Sequence, residues 1–237
     1  MTYCVAIKLN DGLVLTSDSR TNAGVDHIAS FKKLHTFEVP HDRVIFIQSA
    51  GNLATTQSVL AMIEQEIKVA EKHILNTHTL FEAAEIVGRI IRNVIARDEG
   101  QNQGIDFSCN ILLSGQIKGD TPRLFHIYPQ GNFIEACEDT PYFQIGESKY
   151  GKPILDRIIE FKTPLKQALQ CSLISMDSTL RSNLSVGMPL DCITYEADSL
   201  QVTQQMRIDD NHEGFSNLRQ AWSGGIKTLF DGLDIHI

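Results

Sequence analysis

A threonine stands at position 2, directly after Met1. Released from that residue, it would carry a free α-amine beside its own hydroxyl. Such an amine has an ordinary pKa near 8 and takes up the hydroxyl proton directly or through water, which turns a weak alcohol into a nucleophile. The chemistry needs further groups. A lysine close by depresses the amine and stabilises the developing alkoxide, and an aspartate keeps that lysine charged and aimed. A backbone N–H after a strand holds the oxyanion. Asp18, Lys33 (with Lys32 as the register alternative) and Gly51 are the residues of the right type.

Two hairpins would position them. Tyr3, Val5, Ile7 and Leu9 alternate with Cys4, Ala6 and Lys8, the period of a strand. Asn10-Asp11-Gly12 is a turn signal, and a second strand continues at 13–17. With a three-residue loop, Leu9 faces Leu13, Cys4 faces Asp18 and Thr2 faces Arg20. Thr2 and Asp18 are then diagonal neighbours about 7–8 Å apart. The second hairpin runs from 33–39 through Pro40-His41-Asp42 to 43–50. If Val39 faces Arg43, Lys33 faces Ser49, next to Ala50-Gly51. Counting alone leaves open whether the two open ends meet.

The remaining chain supplies cover. Leu53, Val59, Leu60, Ile63, Ile67 and Ala70 form one helical stripe; Ala84, Val87, Ile91, Val94 and Ile95 form another behind a Thr79-to-Glu82 capping box. Glu64, Glu66, Lys68, Glu71 and Lys72 read as a solvated helix face, with Lys68 and Lys72 each placed for an i,i+4 ion pair. After a polar break at Gly100–Gly104, strands are predicted at 110–116, 123–127 and 133–135. Helices follow near 149–161 and 164–180, the second with Thr163 as N-cap and Pro164 as first helical residue. A hairpin spans 191–197 and 200–208, and a last helix covers about 213–231, interrupted at Gly224-Gly225. The order ββββ, αα, ββ, αα, ββ, α reads as an α+β fold with two antiparallel sheets face to face and helix pairs outside. One domain over 1–237 is the economical organisation.

Composition excludes several classes. The chain has 237 residues, 42% hydrophobic and 21% charged, and a net charge of −8. An acidic chain without a basic block is no nucleic-acid or anionic-membrane binder. No apolar run approaches the roughly 20 residues that span a bilayer, and no secretory leader is read at the start. Five scattered cysteines without a CxxC pair read as reduced thiols of a cytoplasmic protein. Eight histidines without HxH or HExxH give metal catalysis no support, so no metal and no cofactor is expected. Cys4 reads as a small buried side chain, and Asp177 as a residue that caps or orients.

The runs Thr2-Tyr3-Cys4-Val5-Ala6-Ile7, Asp11-Gly12-Leu13-Val14-Leu15, Ser17-Asp18-Ser19-Arg20 and Ala23-Gly24 resemble the N-terminus of proteasome β subunits. Ser17 to Gly24 and Asp177 to Gly187 most resemble the Anbu, or ancestral β-subunit, branch of that family. The resemblance implies a four-layer αββα sandwich of the N-terminal-nucleophile (Ntn) hydrolase type, working as a threonine peptidase in a ring or open helical homo-oligomer on a peptide or amide substrate. An ATPase partner is not evident. The resemblance assigns Thr2 as nucleophile, Asp18 and Lys33 as its electrostatic pair, Gly51 as oxyanion donor, and Ser148, Ser182 and Ser185 around the amine. Arg20, Asn22 and Ser49 fall at the substrate. One departure is visible: Ser182 stands where the family has an aspartate, which implies a weaker amine-positioning network. A catalytically weak scaffold, or a narrow amidase or transferase on a small amide, is the alternative.

Overall fold

The computed structural model describes residues 2–22, 28–99, 104–202 and 204–234. The strands are β1 (Tyr3–Leu9), β2 (Gly12–Asp18), β3 (Arg20–Asn22), β4 (Ile28–Ser30), β5 (Leu34–Val39) and β6 (Arg43–Gly51), followed by the helices α1 (Leu53–Val69) and α2 (Leu80–Glu99). Then come β7 (Cys109–Ile117), β8 (Arg123–Ile127), β9 (Phe133–Glu135) and β10 (Tyr142–Gly146), α3 (Lys152–Ile158) and α4 (Leu165–Ser182), β11 (Leu190–Glu196), β12 (Gln204–Ile208) and α5 (Glu213–Asp231).

Two antiparallel five-stranded sheets form, in the orders β10-β1-β2-β11-β12 and β5-β6-β7-β8-β9, with β3 and β4 as a separate ribbon. Strand periodicity divides the apolar residues among three cores. Tyr3, Val5 and Ile7 of β1 pack toward α3, α4 and α5. Cys4 and Ala6 face the other way and meet Val44, Phe46 and Leu112 between the sheets. Ile45 and Ile47 of β6 turn outward under α1 and α2. Both faces of each sheet are therefore covered, and the architecture is the αββα sandwich read from the sequence.

The second hairpin has the counted register, with Val39 opposite Arg43 and Leu34 opposite Gln48. The first does not. Leu9 pairs with Gly12, so the loop holds only Asn10 and Asp11, and Cys4 faces Ser17 in place of Asp18. Gly12 is drawn into the strand at φ 144°, where a Cβ would overlap the Tyr195 carbonyl oxygen of the neighbouring β11. Tyr3 thus lies across from Asp18.

Other boundaries shift for local reasons. Pro164 takes the N-cap position of α4, and the Thr163 hydroxyl accepts the Glu160 N–H instead. α1 ends at Val69, so Lys72 lies beyond it and pairs with Glu82 of α2 at 2.7 Å. Gly224 and Gly225 do not interrupt α5. A helix-interior glycine costs about 1 kcal/mol relative to alanine, which is a burden and not a break. Asp177, nearly fully buried, accepts from Arg181 of its own helix at 2.9 Å and holds α4 to α5 by accepting from Arg219 at 2.5 Å. Most of the Gly100–Gly104 segment lies outside the described residues. Among those described, no helix is long and apolar enough to cross a membrane.

Candidate active site

The site collects at one end of the sandwich, where strand ends from both sheets converge. Thr2 precedes β1 and is 9% exposed. Its carbonyl accepts the Glu147 N–H at 2.7 Å, just past the end of β10. Gly146 makes this approach possible: it sits at φ 83°, and a Cβ there would overlap the Thr2 carbonyl oxygen.

Asp18 closes β2 and is fully buried. Oδ1 accepts the Tyr3 N–H at 3.0 Å and the Lys33 ammonium at 2.7 Å, while Oδ2 accepts the Gly187 N–H at 3.2 Å. The Lys33 ammonium also donates to the Arg20 carbonyl at 2.6 Å. Burial pushes the Asp18 carboxyl above its usual range, against the opposing pull of Lys33 and the two N–H donors. The pair is therefore a desolvated charge held by geometry. Lys33, not Lys32, reaches Asp18; Lys32 is exposed on a cavity wall.

That cavity has a volume of about 470 Å³ and brings Thr2, Lys33, Ser49 and Gly51 together. Gly51 ends β6 at φ 119°, where a Cβ would overlap the Ser108 carbonyl oxygen. Ser49 is fixed through its N–H, which donates to the Lys33 carbonyl at 3.1 Å. Cys4 lies beneath, its thiol 3.7 Å from the Ser49 carbonyl oxygen. Burial pushes that thiol far up, so it stays protonated and is no rival nucleophile. Among the described residues no cluster of His, Cys, Asp and Glu is arranged to hold a metal ion.

The family model of the proteasome subunit matches residues 2–187. A proteasome subunit beta of Haloquadratum walsbyi is 23% identical over 218 residues, which are 92% of this chain and 79% of that protein. Among solved structures, Anbu from Yersinia bercovieri is 56% identical, with a TM-score of 0.94 over 99% of this chain and 98% of the other. The helical assembly of the Anbu complex from Pseudomonas aeruginosa is 50% identical, with a TM-score of 0.96 over 99% and 98%. The chain belongs to the Anbu branch of the proteasome family.

Its fold is thus the Ntn-hydrolase fold of that family, and the site can be set against the Anbu expectations. Ser148 stands two residues beyond Gly146 and donates its N–H to the Gly146 carbonyl at 3.1 Å, but it lines a second cavity, of about 480 Å³, with Tyr142, Gln144, Lys152 and Asp156. Ser182 is the last residue of α4, and Ser185 donates its N–H to Asn183 Oδ1 at 2.9 Å. Among the described residues no hydrogen bond joins Ser148, Ser182 or Ser185 to Thr2. Arg20, expected at the substrate, does not line the Thr2 cavity. Its guanidinium lies over Gly187 and donates to the Leu184 carbonyl at 3.1 Å, so it straps down the loop that feeds Asp18. The Asn22 side chain is outside the described residues.

Sequence reasoning missed Glu147 and Asn183. The Glu147 carboxylate, largely buried, accepts from Asn183 Nδ2 at 3.0 Å, and Asn183 Oδ1 in turn holds the Ser185 N–H. A carboxylate therefore reaches the 183–185 turn although position 182 has none. Both residues adjoin expected serines, and only that adjacency marks them in the sequence.

Proposed function

We propose that this chain is a threonine peptidase or amidohydrolase of proteasome type. Release of Thr2 from Met1 frees the α-amine. That amine takes the Thr2 hydroxyl proton, and Oγ attacks the substrate carbonyl. The Gly51 N–H binds the oxyanion, the proton passes to the departing amine, and an acyl ester remains on Thr2 for water to hydrolyse. Lys33 stabilises the alkoxide, and Asp18 keeps Lys33 charged and aimed. The observation that carries this reading is the buried Lys33–Asp18 pair at the wall of a cavity shared by Thr2 and Gly51.

Assembly into a ring or open helical oligomer is part of the proposal. It is supported by the 50% identical Pseudomonas aeruginosa protein, described as a helical assembly. Such an assembly would shield a peptidase site inside a cytoplasmic particle. The second reading, a catalytically weak scaffold or a narrow amidase or transferase on a small amide, rests on Ser182, which lacks the aspartate of the family pattern.

The test is an intact mass of the purified oligomer before and after a peptide epoxyketone. Loss of Met1 and one adduct on Thr2, absent in Thr2→Ala, is the expected result. A Met1-free protein that forms no adduct would favour the second reading.

A further inference from the structure

We propose that the cavity beside Thr2 selects substrates in which the residue on the acyl side of the cleaved bond, P1, ends in a carboxylate or carboxamide, glutamate foremost. The inference rests on the hydrolase reading and names the substrate class of that same site.

The ionisable groups that line the cavity are Lys32, Lys33 and His35, and no aspartate or glutamate is among the lining residues. This is a local inversion, because the chain carries 29 acidic residues against 21 basic ones. Lys33 is neutralised by Asp18 at 2.7 Å. Lys32 belongs to no ion pair among the described residues, so it supplies the cavity's net positive charge. A recess with one sign of charge and low-dielectric walls concentrates field and enriches ligands of the opposite sign.

His35 adds shape and no charge at neutral pH. Its Nε2 lies 3.1 Å from the Lys32 carbonyl oxygen. A carbonyl only accepts, so Nε2 carries a proton and the ring ties itself to the Lys32 main chain. Burial lowers the His35 pKa, and the charged groups that face it are Lys32, Glu64 and Asp191.

The remaining wall matches a side chain with an apolar stem and a polar tip. Phe31, Leu53 and Leu60 are apolar; Thr21 and Gln57 carry donors, while the Thr56 hydroxyl already donates to the Leu53 carbonyl at 2.9 Å. A glutamate would lay its methylenes on the first group and turn its carboxylate to Lys32 and the donors. Glutamine keeps the stem and the hydrogen bonds without the charge. Leucine keeps only the stem. A basic side chain meets Lys32 with no carboxylate to receive it. Lys32 is exposed, so its contribution is that of a partly screened pair, which corresponds to about a 1.5- to 5-fold preference rather than an absolute one.

The experiment uses the Met1-free oligomer and four peptide epoxyketones that differ only at P1: Glu, Gln, Leu and Lys. The rate of Thr2 adduct formation is followed by intact mass at fixed ionic strength. The expected order is Glu, Gln, Leu, Lys, with Glu about 2- to 10-fold above Lys, since attraction of one and repulsion of the other add. Lys32→Glu should reverse the Glu-to-Lys ratio, and 0.5 M salt should shrink it in the unmodified protein. Leu or Lys fastest, or a ratio that Lys32→Glu leaves unchanged, overturns the proposal. Should none of the four form an adduct, the hydrolase reading falls. The cavity is then tested alone, by the affinity of Thr2→Ala protein for four peptide amides carrying the same side chains. The same order upholds the selectivity, and Leu or Lys first overturns it.

Discussion

Lys33→Met is the perturbation that most directly probes the site's electrostatics. It removes the cation 2.7 Å from a fully buried carboxylate and leaves Asp18 with two backbone N–H donors, from Tyr3 and Gly187. Breaking a buried pair by deleting one partner costs about 3–5 kcal/mol, because an uncompensated charge stays behind. The same penalty pushes the Asp18 carboxyl still further above its usual range. The sign follows from linkage. Burial already holds this carboxyl above its usual value, so between the ordinary and the raised pKa the folded state binds a proton that the unfolded chain does not, and stability falls as pH rises through that window. Lys33→Met widens the window upward. Its cost should be larger at pH 8 than at pH 5, because protonation of the orphaned carboxyl relieves it as pH falls. Urea unfolding at fixed protomer concentration measures this. Adding Asp18→Asn removes the stranded charge but turns an amide NH2 onto either the Tyr3 or the Gly187 N–H, so only part of the loss should return. A cost below about 1 kcal/mol, or equal costs at pH 5 and pH 8, would refute the reasoning.

Three more outcomes are expected. Gly146→Ala puts a side chain at φ 83° into the Thr2 carbonyl oxygen; it should cost about 2 kcal/mol and abolish epoxyketone labelling of Thr2, and labelling at the unmodified rate would show that this contact does not place the nucleophile. Glu147→Gln keeps an acceptor for Asn183 but removes the charge, so labelling should slow about 10-fold with the fold intact, and Ser182→Asp should restore part of it; neutrality of both changes would deny Glu147 a positioning role. His126, held against Asn110 and the Tyr128 and Phe143 rings, has its pKa lowered by burial to about 4. A depressed folded-state histidine contributes stability above its ordinary pKa of 6.5 that is lost as pH falls toward 4, so His126→Gln should lose less stability between pH 7 and pH 4.5 than the unmodified protein, as read by denaturant midpoints.

The sandwich was legible because its strands are apolar on both faces and its helices on one, which leaves two sheets back to back with helices outside as the arrangement that buries everything. The register of the second hairpin was legible too, since its Pro40-His41-Asp42 loop is set by local turn chemistry. The first hairpin was not, because Gly12 answers to β11, a strand almost two hundred residues away, whose Tyr195 carbonyl tolerates no Cβ there. Strand β10 went unread for a related reason: it offers only Phe143 and Ile145 as buried apolar residues, and its identity as a strand comes from pairing with β1. Missing β10 meant missing Gly146 and Glu147, which hold Thr2. Thr2, Asp18, Lys33 and Gly51 were candidates by type and position; Glu147 and Asn183 are joined by a hydrogen bond that only the folded chain closes.

Antiparallel topology accounts for most of the site's assembly. Pairing β1 with both β2 and β10 places the start of β1 beside the ends of the other two, so Thr2, Asp18 and Gly146 meet at one edge by register alone. Pairing β5 with β6 brings Lys33 beside Ser49 and Gly51 in the same way. What register cannot supply is the joining of these two groups, because they belong to different sheets. That step falls to the packing between sheets and to buried polar contacts that span them: Gln48 Nε2, which donates to the Val5 and Thr16 carbonyls at 3.2 and 3.0 Å, and the ion pair of Lys33 with Asp18. A hydrophobic pair of the same volume would be no less stabilising at such a place. Stability alone therefore does not account for the charge, and the selectivity proposed for Lys32 starts from the same strand entry: of two adjacent lysines, Lys33 pairs with Asp18, and its neighbour, in no ion pair among the described residues, faces the cavity.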